Sequence, residues 1–580
     1  MPQVREVLGG GAFLTRPLDP DDLFTRDELS GEQLLFGQTA AEFMRKEVLP
    51  HVHRLYEHDW VFTRELLKKA ADLDLLRLEI PETYGGLGLD KVSAAYVFEH
   101  ISLNPSFGGS IGTHTSIGTL PIVYFGTDEQ KARYLPRLAS GEWIGAYALT
   151  EPHSGSDALS AKTTARLSAD GRHYVLNGQK AWITNGGFAD VFTVFAKVDG
   201  EKFTAFIVER GMGVLSGADE KKLGLDGSST TVLMLDNVHV PVENVLGTIG
   251  EGHKVAFNIL NLGRVKLGTR NISGVRHALD QSIAYARERR QFGKRICEFG
   301  LVKRKLAEMS VQCFVGEAMV YRAIGDVDGA LQGVDSADSG RVLKAIENFA
   351  VECSINKVWS SEALAYAVDE AVQVFGGNGY SREFPVERAY RDARITRIYE
   401  GTNEINRLII ATRLLKNTEF LLKEADSRRE GPADVDGSVL APEHDLLGRS
   451  KRLAIAALSA VSQAYGQAAR EEQEILAHIA NIVIEIYATE SAVARAEKLS
   501  RGNSENGELA ADVVRIYAGD AADRIAHDAK QIVNAMATRV DRNEALDQAW
   551  AAVREYKGID AVAARRRIGD AAIRAGRYPF

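Results

Sequence analysis

The sequence predicts a mainly α-helical protein with a central β-domain and a helical C-terminal extension. The prediction rests on two changes in the spacing of apolar residues along the chain. The spacing is helical up to about residue 142, alternates as in β-strands up to about residue 252, and then becomes helical again. This order indicates an α–β–α architecture.

Residues 1–142 form the predicted N-terminal helical domain. A loop interrupts its pattern, with Pro81 followed by the glycine-rich stretch 85–88. The apolar residues that recur at helical spacing are Phe36, Ala40, Phe43, Met44 and Val48.

Residues 143–252 form the predicted β-barrel domain. Its strand-like stretches are rich in β-branched and aromatic residues, and turns with Asn-Gly, Asp-Gly or several glycines separate them. These stretches are 173–176, 191–195, 203–208 and 231–235.

The rest of the chain is predicted to be helical, with one break. Residues 253–423 form a helical-bundle domain that carries the candidate catalytic base. Acidic residues and a Gly-Pro pair predict a linker over 424–447. Residues 448–580 form a C-terminal helical domain with amphipathic helices around 476–486 and 513–521. We interpret this extension as a packing domain without chemistry of its own.

Length and composition exclude several classes of protein. A chain of 580 residues is too long for one compact core. The net charge of −9 argues against nucleic-acid binding and against strong attraction to an anionic membrane. Three widely spaced cysteines, Cys297, Cys313 and Cys353, predict reduced, buried thiols without a disulfide or metal site. The N-terminus resembles no targeting peptide, so we expect a cytoplasmic chain or a mature organellar matrix protein.

The candidate catalytic residue is Glu400, within the segment 398–407. Its carboxylate stands where an apolar segment ends before a new helix, and partial burial there would raise its proton affinity and suit a general base. Gly401 lets a ligand approach the backbone, and Thr402 is placed to cap a helix over 403–415. The alternative is a glutamate that only interacts with the helix dipole.

Two further motifs have the residue types that surround a flavin. Residues 147–157 combine a short strand with a loop of small residues, whose N–H groups can face an anion or the edge of a heterocycle. In the stretch 179–187, Trp182 and Thr184 lie on one face of a predicted strand before a glycine-rich turn. A flavin requires such a flat apolar wall with a few hydrogen bonds. The alternative is an ordinary hairpin with a buried tryptophan.

Taken in order, these motifs resemble those of the acyl-CoA dehydrogenase family up to about residue 423. Residues 285–294 are similar to that family's helix-end loop, which reaches the FAD of a neighbouring subunit. Residues 373–380 resemble its glycine-rich loop against the adenosine half of FAD. Residues 258–264 and the C-terminal extension are most similar to the very-long-chain branch.

The resemblance implies a role for each matched residue, with Glu400 as the catalytic base. For Arg264, the alternative is an ordinary arginine on a helix surface. The residues that would contact FAD are Tyr147, Leu149, Thr150, Ser156, Trp182, Ile183, Thr184, Arg289, Phe292, Gln373, Gly376, Gly377, Thr402 and Glu404. The residues that would contact the substrate are Ser156, Asn261, Arg264, Gly401, Gly108 and Gly112.

The reaction that the resemblance implies is the α,β-dehydrogenation of a fatty acyl-CoA to a trans-2-enoyl-CoA. Glu400 would remove the α-proton while the β-hydrogen leaves as a hydride to flavin N5. The backbone N–H of Glu400 and the ribityl 2′-hydroxyl of FAD would stabilise the charge that develops on the thioester. In the isovaleryl branch the base precedes the arginine matched by Arg264. That position is Gly263 here, which cannot act as a base.

Small residues at 107–114 bear on the length of the acyl chain, because this stretch aligns with the helix that floors the family's acyl cavity. Gly108, Gly109 and Gly112 stand where medium-chain members have larger polar side chains, and they predict a deep tunnel for a long acyl chain. The alternative is that these glycines allow close helix packing. His114 is predicted to be structural.

We therefore expect an FAD-dependent long-chain acyl-CoA dehydrogenase of fatty-acid β-oxidation that passes electrons to electron-transfer flavoprotein. A homodimer is expected, because residues 285–294 would reach the partner's FAD and the extension would cover the face on which other members pair dimers. We expect no binding to nucleic acid and no strong binding to membranes, since the acidic linker would be repelled by anionic lipid. The alternatives are an oxidase relative that uses oxygen and a non-catalytic relative, either an assembly factor or a nucleic-acid-associated flavoprotein.

Overall fold

The computed structural model describes residues 9–334, 339–427, 438–502, 504–537 and 543–580. The order of its elements confirms the predicted α–β–α architecture with a helical C-terminal extension. The helices are α1 (Gly31–Phe43), α2 (Val52–Tyr56), α3 (Trp60–Asp72), α4 (Lys91–Ile101), α5 (Pro105–Thr113), α6 (Leu120–Phe125), α7 (Asp128–Ala139), α8 (Gly252–Glu288), α9 (Gly300–Leu331), α10 (Ser339–Asn348), α11 (Ala350–Phe375), α12 (Pro385–Ala393), α13 (Asn403–Lys416), α14 (Thr418–Ser427), α15 (Ala441–Tyr465), α16 (Gln473–Gly502), α17 (Ser504–Ala537), α18 (Glu544–Val553) and α19 (Ala561–Ala575). The strands are β1 (Gly145–Ala148), β2 (Thr164–Leu167), β3 (His173–Thr184), β4 (Val191–Val198), β5 (Lys202–Glu209), β6 (Leu215–Asp219), β7 (Thr230–Pro241), β8 (Val245–Leu246), β9 (Arg290–Gln291) and β10 (Lys294–Arg295).

The chain divides into two compact units. The sheet unit comprises residues 29–273 and 330–347, and so contains α1–α7, β1–β8 and the first part of α8. The helical unit comprises the described residues of 9–28, 274–329 and 348–580. It contains the remainder of α8, the β9–β10 hairpin and the helices from α11 onward.

In the sheet unit, the N-terminal helices and the sheet share one hydrophobic core. Phe43 and Ile101 from the helices belong to the same buried cluster as Phe206 from the sheet. Because apolar surface from both layers is removed from water in one continuous core, the predicted segments 1–142 and 143–252 lie in a single compact unit from residue 29 onward.

The central sheet has eight strands in the order β6-β7-β3-β2-β4-β5-β8, with β1 pairing in parallel with β4. Its path starts at the short strand β6 and ends at the two-residue strand β8. The long antiparallel pair β3–β7 places Thr184 opposite Thr230.

The helical unit is built around α11, which is buried along most of its length. Helix α13, which follows the candidate base, packs against both α11 and α16. Helices α16 and α17 form an extensive pair within the C-terminal extension. The three cysteines are buried, as the sequence predicts.

The predicted linker over 424–447 is largely helical at its two ends. Helix α14 continues to Ser427 and α15 begins at Ala441. Burial of Leu440 and Leu446 favours ordered structure there, which the acidic composition does not reveal. The central part of the linker, 428–437, lies outside the described residues. Across the part of the chain that the structure describes, no helix combines the length and apolar content that a bilayer span requires.

Candidate active site

The backbone at the candidate base has a conformation that few residues adopt. Glu400 has a φ of 57° and Gly401 a φ of 81°, both in the left-handed region. A non-glycine residue there costs about 1–3 kcal/mol and persists only where surrounding contacts enforce it. The segment between the turn at Arg394–Arg397 and α13 is therefore held in place by its neighbours.

The side chain of Asn406 holds this segment. Asn406 is fully buried, and its amide Nδ2 donates to the carbonyl oxygens of Gly401 at 2.8 Å and Thr402 at 3.0 Å. A longer bond of 3.4 Å reaches the carbonyl of Glu400. Our sequence reasoning missed this residue. The sequence feature that could have identified it is an asparagine within the first turns of a predicted helix, because such side chains commonly form hydrogen bonds to the nearby backbone.

The start of α13 confirms the predicted cap. The hydroxyl of Thr402 accepts a hydrogen bond from the N–H of Ile405 at 3.2 Å. Glu404 is exposed in the first turn, where its own backbone N–H and the Thr402 hydroxyl hold the pKa of its carboxyl below the usual value. A carboxylate in this position also complements the helix dipole.

The predicted helix-end loop is a tight hairpin of β9 and β10. Phe292 and Gly293 connect the strands with φ angles of 51° and 78°, the pattern of a two-residue turn with both central residues left-handed. Phe292 is 92% exposed at the tip, and Arg289 is exposed at the base of the hairpin. In the single chain, both side chains are therefore available to a ligand or a partner.

The glycine-rich loop after α11 lies beside the C-terminal end of α8. Tyr285 stacks on Phe375 with ring centroids 4.1 Å apart, and Asn378 donates to the Tyr285 hydroxyl at 3.0 Å. Positions 376 and 377 have open space where a Cβ would stand. The structure thus brings together, within the helical unit, the elements that carry Arg289, Phe292, Gln373, Gly376 and Gly377.

In the sheet unit, Trp182 projects from a β-bulge. Residues 181 and 182 of β3 lie opposite a single residue of β7, and Trp182 has a φ of 62°. The indole is 60% exposed, so the alternative of a buried tryptophan is wrong. Bulges commonly re-aim a side chain near functional sites, and glycine is the usual residue at a left-handed position. Of the nine described non-glycine residues with positive φ, three are predicted site residues: Trp182, Phe292 and Glu400.

A buried ion pair joins β3 to the loop after β1. The ammonium of Lys180 donates to Glu151 at 2.7 Å and to the carbonyl of Leu149 at 3.3 Å, and the N–H of Ala181 donates to the carbonyl of Thr150. Burial would raise the pKa of Glu151, but the charge of Lys180 and several hydrogen bonds hold it below the usual value. This pair fixes the predicted flavin motifs, 147–157 and 179–187, to each other.

The remaining predicted flavin contacts differ in accessibility. Ser156 is exposed two residues after a turn that Glu151 and Ser154 close by mutual backbone hydrogen bonds. Thr184 is partly exposed on β3, whereas Leu149 and Ile183 are buried. Tyr147 is also buried: its ring packs on Phe195, and its hydroxyl donates to the carbonyl of Ala256 at 3.4 Å.

Asn261 and Arg264 lie together on α8 in the sheet unit. Arg264 donates to the side-chain oxygen of Asn261 at 2.8 Å, and both residues are buried. Arg264 is 5% exposed, which excludes the alternative of an ordinary surface arginine. A buried guanidinium requires charged or polar partners, as functional arginines commonly have.

Gly108 and Gly112 face a neighbouring helix. A Cβ at Gly112 would lie 2.5 Å from the ring of Phe98, and one at Gly108 would lie 3.3 Å from Cα of Ser102. Side chains here would separate α4 from α5, so these contacts favour the alternative of close helix packing over an acyl tunnel. The cavity next to the two helices measures only about 20 Å³, roughly the space for one water.

His114 has the structural role predicted for it. Its Nδ1 accepts the N–H of Gly145 at 3.0 Å, and its Nε2 lies 3.1 Å from the carbonyl oxygen of Leu138. Burial lowers the pKa of His114 to about 4, so the ring is neutral at physiological pH. The imidazole anchors the start of β1.

Comparison with known proteins bears out the resemblance that the motifs indicate. Models of the N-terminal, middle and C-terminal domains of acyl-CoA dehydrogenases match residues 30–142, 146–238 and 250–415. A further acyl-CoA dehydrogenase C-terminal domain model matches residues 449–546, within the extension. The chain belongs to the acyl-CoA dehydrogenase family. Membership confirms the expected enzyme class.

Relatives of this acyl-CoA dehydrogenase include proteins of similar length. A probable acyl-CoA dehydrogenase of Bacillus subtilis is 46% identical over 92% of each chain. The mitochondrial very long-chain specific acyl-CoA dehydrogenase of Homo sapiens is 35% identical over 87% of this chain and 85% of its own. The crystal structure of an acyl-CoA dehydrogenase from Bacillus anthracis, complexed with FAD, is 42% identical and superposes with a TM-score of 0.93 over 98% of this chain and 100% of its own. The likeness therefore includes the C-terminal extension.

Proposed function

We propose that this protein is an FAD-dependent dehydrogenase that converts long-chain fatty acyl-CoA to trans-2-enoyl-CoA with Glu400 as the base. The observation that carries the proposal is the left-handed Glu400-Gly401 segment, held by the amide of Asn406. A carboxylate on an enforced backbone is pre-organised for proton abstraction, because its position does not have to be established during the reaction.

The residues present fit FAD. Trp182 supplies an exposed aromatic face, Ser156 and Thr184 supply accessible hydroxyls, and the open space at positions 376–377 allows close approach to the backbone. When bound, FAD supplies the acceptor for the hydride that leaves the substrate β-carbon. The matched residues that would hold it are those of the two sheet-unit motifs. By the resemblance, the hairpin and the glycine-rich loop of the helical unit would meet the FAD that is bound mainly by a partner subunit.

The protein's own part in the reaction is proton removal. Glu400 takes the proton from the α-carbon of the thioester, and Gly401 leaves room for the thioester beside the backbone. The α-proton is weakly acidic, so N–H donors must meet the negative charge that develops on the carbonyl oxygen; the N–H of Glu400 is the donor that we assign. Buried Asn261 and Arg264 are assigned to the substrate side.

Preference for long acyl chains now rests on the relatives rather than on the glycines of α5. The alignment with the very long-chain specific enzymes extends into the C-terminal extension, and the helix-packing contacts of Gly108 and Gly112 weaken the separate argument from a deep tunnel. We also propose that the electron acceptor is electron-transfer flavoprotein, that the enzyme acts in β-oxidation and that it forms a homodimer. The exposed hairpin tip at Phe292 supports the homodimer.

Anaerobic titration of the FAD-loaded protein with acyl-CoAs of increasing chain length tests the proposal. We expect bleaching of the flavin absorbance, most rapid with long saturated chains. Bleaching that is fastest with short chains would overturn the chain-length assignment, and no bleaching with any acyl-CoA would support the non-catalytic alternative. Reduced enzyme that is reoxidised faster by oxygen than by electron-transfer flavoprotein would support the oxidase alternative.

A further inference from the structure

We propose that Asn481, on helix α16 of the C-terminal extension, is a positioning residue for the segment that carries Glu400. It acts through Arg407 on α13. The inference rests on the proposed role of Glu400 and gives the extension a part in the reaction, whereas the sequence alone suggests packing only.

The guanidinium of Arg407 connects three helices. Its Nε donates to Oδ1 of Asn481 on α16 at 2.7 Å. Its two terminal nitrogens donate to the two carboxylate oxygens of Glu362 on α11, at 2.8 and 3.0 Å. This bidentate ion pair fixes the plane of the guanidinium. The third hydrogen bond, to Asn481, therefore determines how α13 is rotated relative to α16.

The same carboxylate reaches the first residue of α13. Oε1 of Glu362 also accepts from the side-chain amide of Asn403 at 3.0 Å. The other end of that amide accepts from Lys357, which is fully buried, at 2.7 Å. Asn403 follows Thr402 directly, and Asn406 precedes Arg407 directly, so the polar network surrounds the residues that hold the Glu400 segment.

Asn481 is itself oriented by the extension. Its amide nitrogen donates to Oδ1 of Asp528 on α17 at 3.3 Å, and that oxygen also lies 2.6 Å from Nδ1 of His478. The amide nitrogen is thus directed toward Asp528, and the amide oxygen is directed toward Arg407. Apolar side chains could pack α13 against α16 equally well, whereas this polar pair allows one rotation of α13.

The consequence concerns the amide of Asn406. A small rotation of α13 would shift this amide away from the carbonyls of Gly401 and Thr402, and the left-handed segment would lose its support. Errors of about 1 Å in the position of a reacting group can reduce a rate about 10²-fold. A partial loss of positioning should therefore be measurable without loss of folding.

The test compares Asn481→Ala with Glu485→Gln in the FAD-loaded, full-length protein. Glu485 lies one turn further along α16 and accepts from Tyr517 and Arg524 of α17, so its substitution perturbs the extension without removing a bond to α13. For Asn481→Ala we expect at least about threefold faster hydrogen–deuterium exchange in the peptide covering 400–410. We also expect about tenfold slower flavin reduction with unchanged FAD content and acyl-CoA affinity. Glu485→Gln should leave both quantities near those of the wild type.

A double variant that swaps the two side chains without changing the net charge should reverse the effects of Asn481→Ala. The double variant Asn481→Asp with Asp528→Asn keeps an oxygen for Arg407 and a donor–acceptor pair between α16 and α17. We expect it to restore exchange and reduction rates to within about twofold of the wild type. If Asn481→Ala leaves exchange in 400–410 unchanged, or if Glu485→Gln raises it equally, the positioning role is wrong. Hydrogen–deuterium exchange requires no turnover. It therefore tests this proposal even if acyl-CoA fails to reduce the wild-type flavin and the proposed function is wrong.

Discussion

The side-chain amide of Asn406 lies 2.8 Å from the carbonyl oxygen of Gly401, five residues earlier in the chain. This contact spans the start of α13 and joins the helix to the segment that precedes it. Because Glu400 and Gly401 both have positive φ, the amide stabilises a backbone that would otherwise relax to a commoner conformation. The geometry of the candidate base is thus maintained by the helix that follows it.

Replacing Asn406 by aspartate should separate shape from hydrogen bonding. Asp has nearly the same size but has no N–H to donate. At this fully buried position its carboxyl would face the carbonyl oxygens of Gly401 and Thr402, so it must either stay charged against them or take up a proton, and both states cost free energy. We expect a loss of about 1–3 kcal/mol in stability and at least tenfold slower flavin reduction, on the order of the cost of an unpaired buried group. Urea unfolding and stopped-flow absorbance measure the two effects. Flavin reduction at the wild-type rate would show that the amide does not position the base.

Glu400→Gln tests the base directly. The amide keeps the shape of the side chain but cannot accept the α-proton, so acyl-CoA-dependent bleaching should slow by at least about 10³-fold. The protein should remain yellow with bound FAD, which serves as the internal control for folding. Turnover that persists near the wild-type level would place the base elsewhere.

Two substitutions of Trp182 distinguish the effect of backbone strain from the effect of contact with the cofactor. Trp182→Ala removes an exposed indole, so we expect FAD affinity to fall about tenfold, in line with 0.5–1.5 kcal/mol for aromatic packing, with little change in apoprotein stability. Trp182→Gly should weaken FAD binding equally, yet its apoprotein should be about 1 kcal/mol more stable than that of the alanine variant, because glycine adopts a φ of 62° without strain. Equal apoprotein stabilities would argue against strain at the bulge.

Glu352 should make the stability depend on pH. Burial raises the pKa of this carboxyl to about 7 from its ordinary 4.5, although the N–H groups of Gly11 and Gly10 donate to it. Between these two values the folded protein retains a proton that the unfolded chain has released, so stability should decrease as pH rises through the window, by about 3 kcal/mol in total. In Glu352→Gln this part of the pH dependence should disappear. Thermal unfolding of both proteins from pH 5 to pH 8 measures this effect. If the stabilities of the wild type and the variant change in parallel with pH, the assignment is wrong.

The exposed tip of the β9–β10 hairpin predicts a dimer in which both subunits contact the same FAD. Phe292 is 92% exposed in the single chain, so Phe292→Ala should not reduce the stability of the isolated chain, but it should weaken dimerisation about tenfold or more if the ring is an interface anchor. Light scattering of the FAD-loaded protein at decreasing concentrations measures this equilibrium. An FAD-loaded monomer would refute the shared site, whereas a tetramer would refute only the assigned role of the extension in blocking further pairing.

Much of this protein could be predicted from local features of the sequence. The change from helical to alternating apolar spacing located the sheet between helices, since each period reflects the geometry of one element. The cap at Thr402 was also predictable, because its partner lies three residues away. Glu400 and Trp182 were predicted as site residues from the chemistry of their motifs.

Only the tertiary structure decided what depends on residues distant in the chain. It showed that Gly112 faces Phe98, that Lys180 pairs with Glu151, and that Asn481 meets Arg407. A glycine that opens a tunnel and one that admits a neighbouring helix look the same in sequence, because the difference is the identity of the packed neighbour. The left-handed backbone at Glu400 has the same origin: local preference opposes it, and contacts formed on folding enforce it.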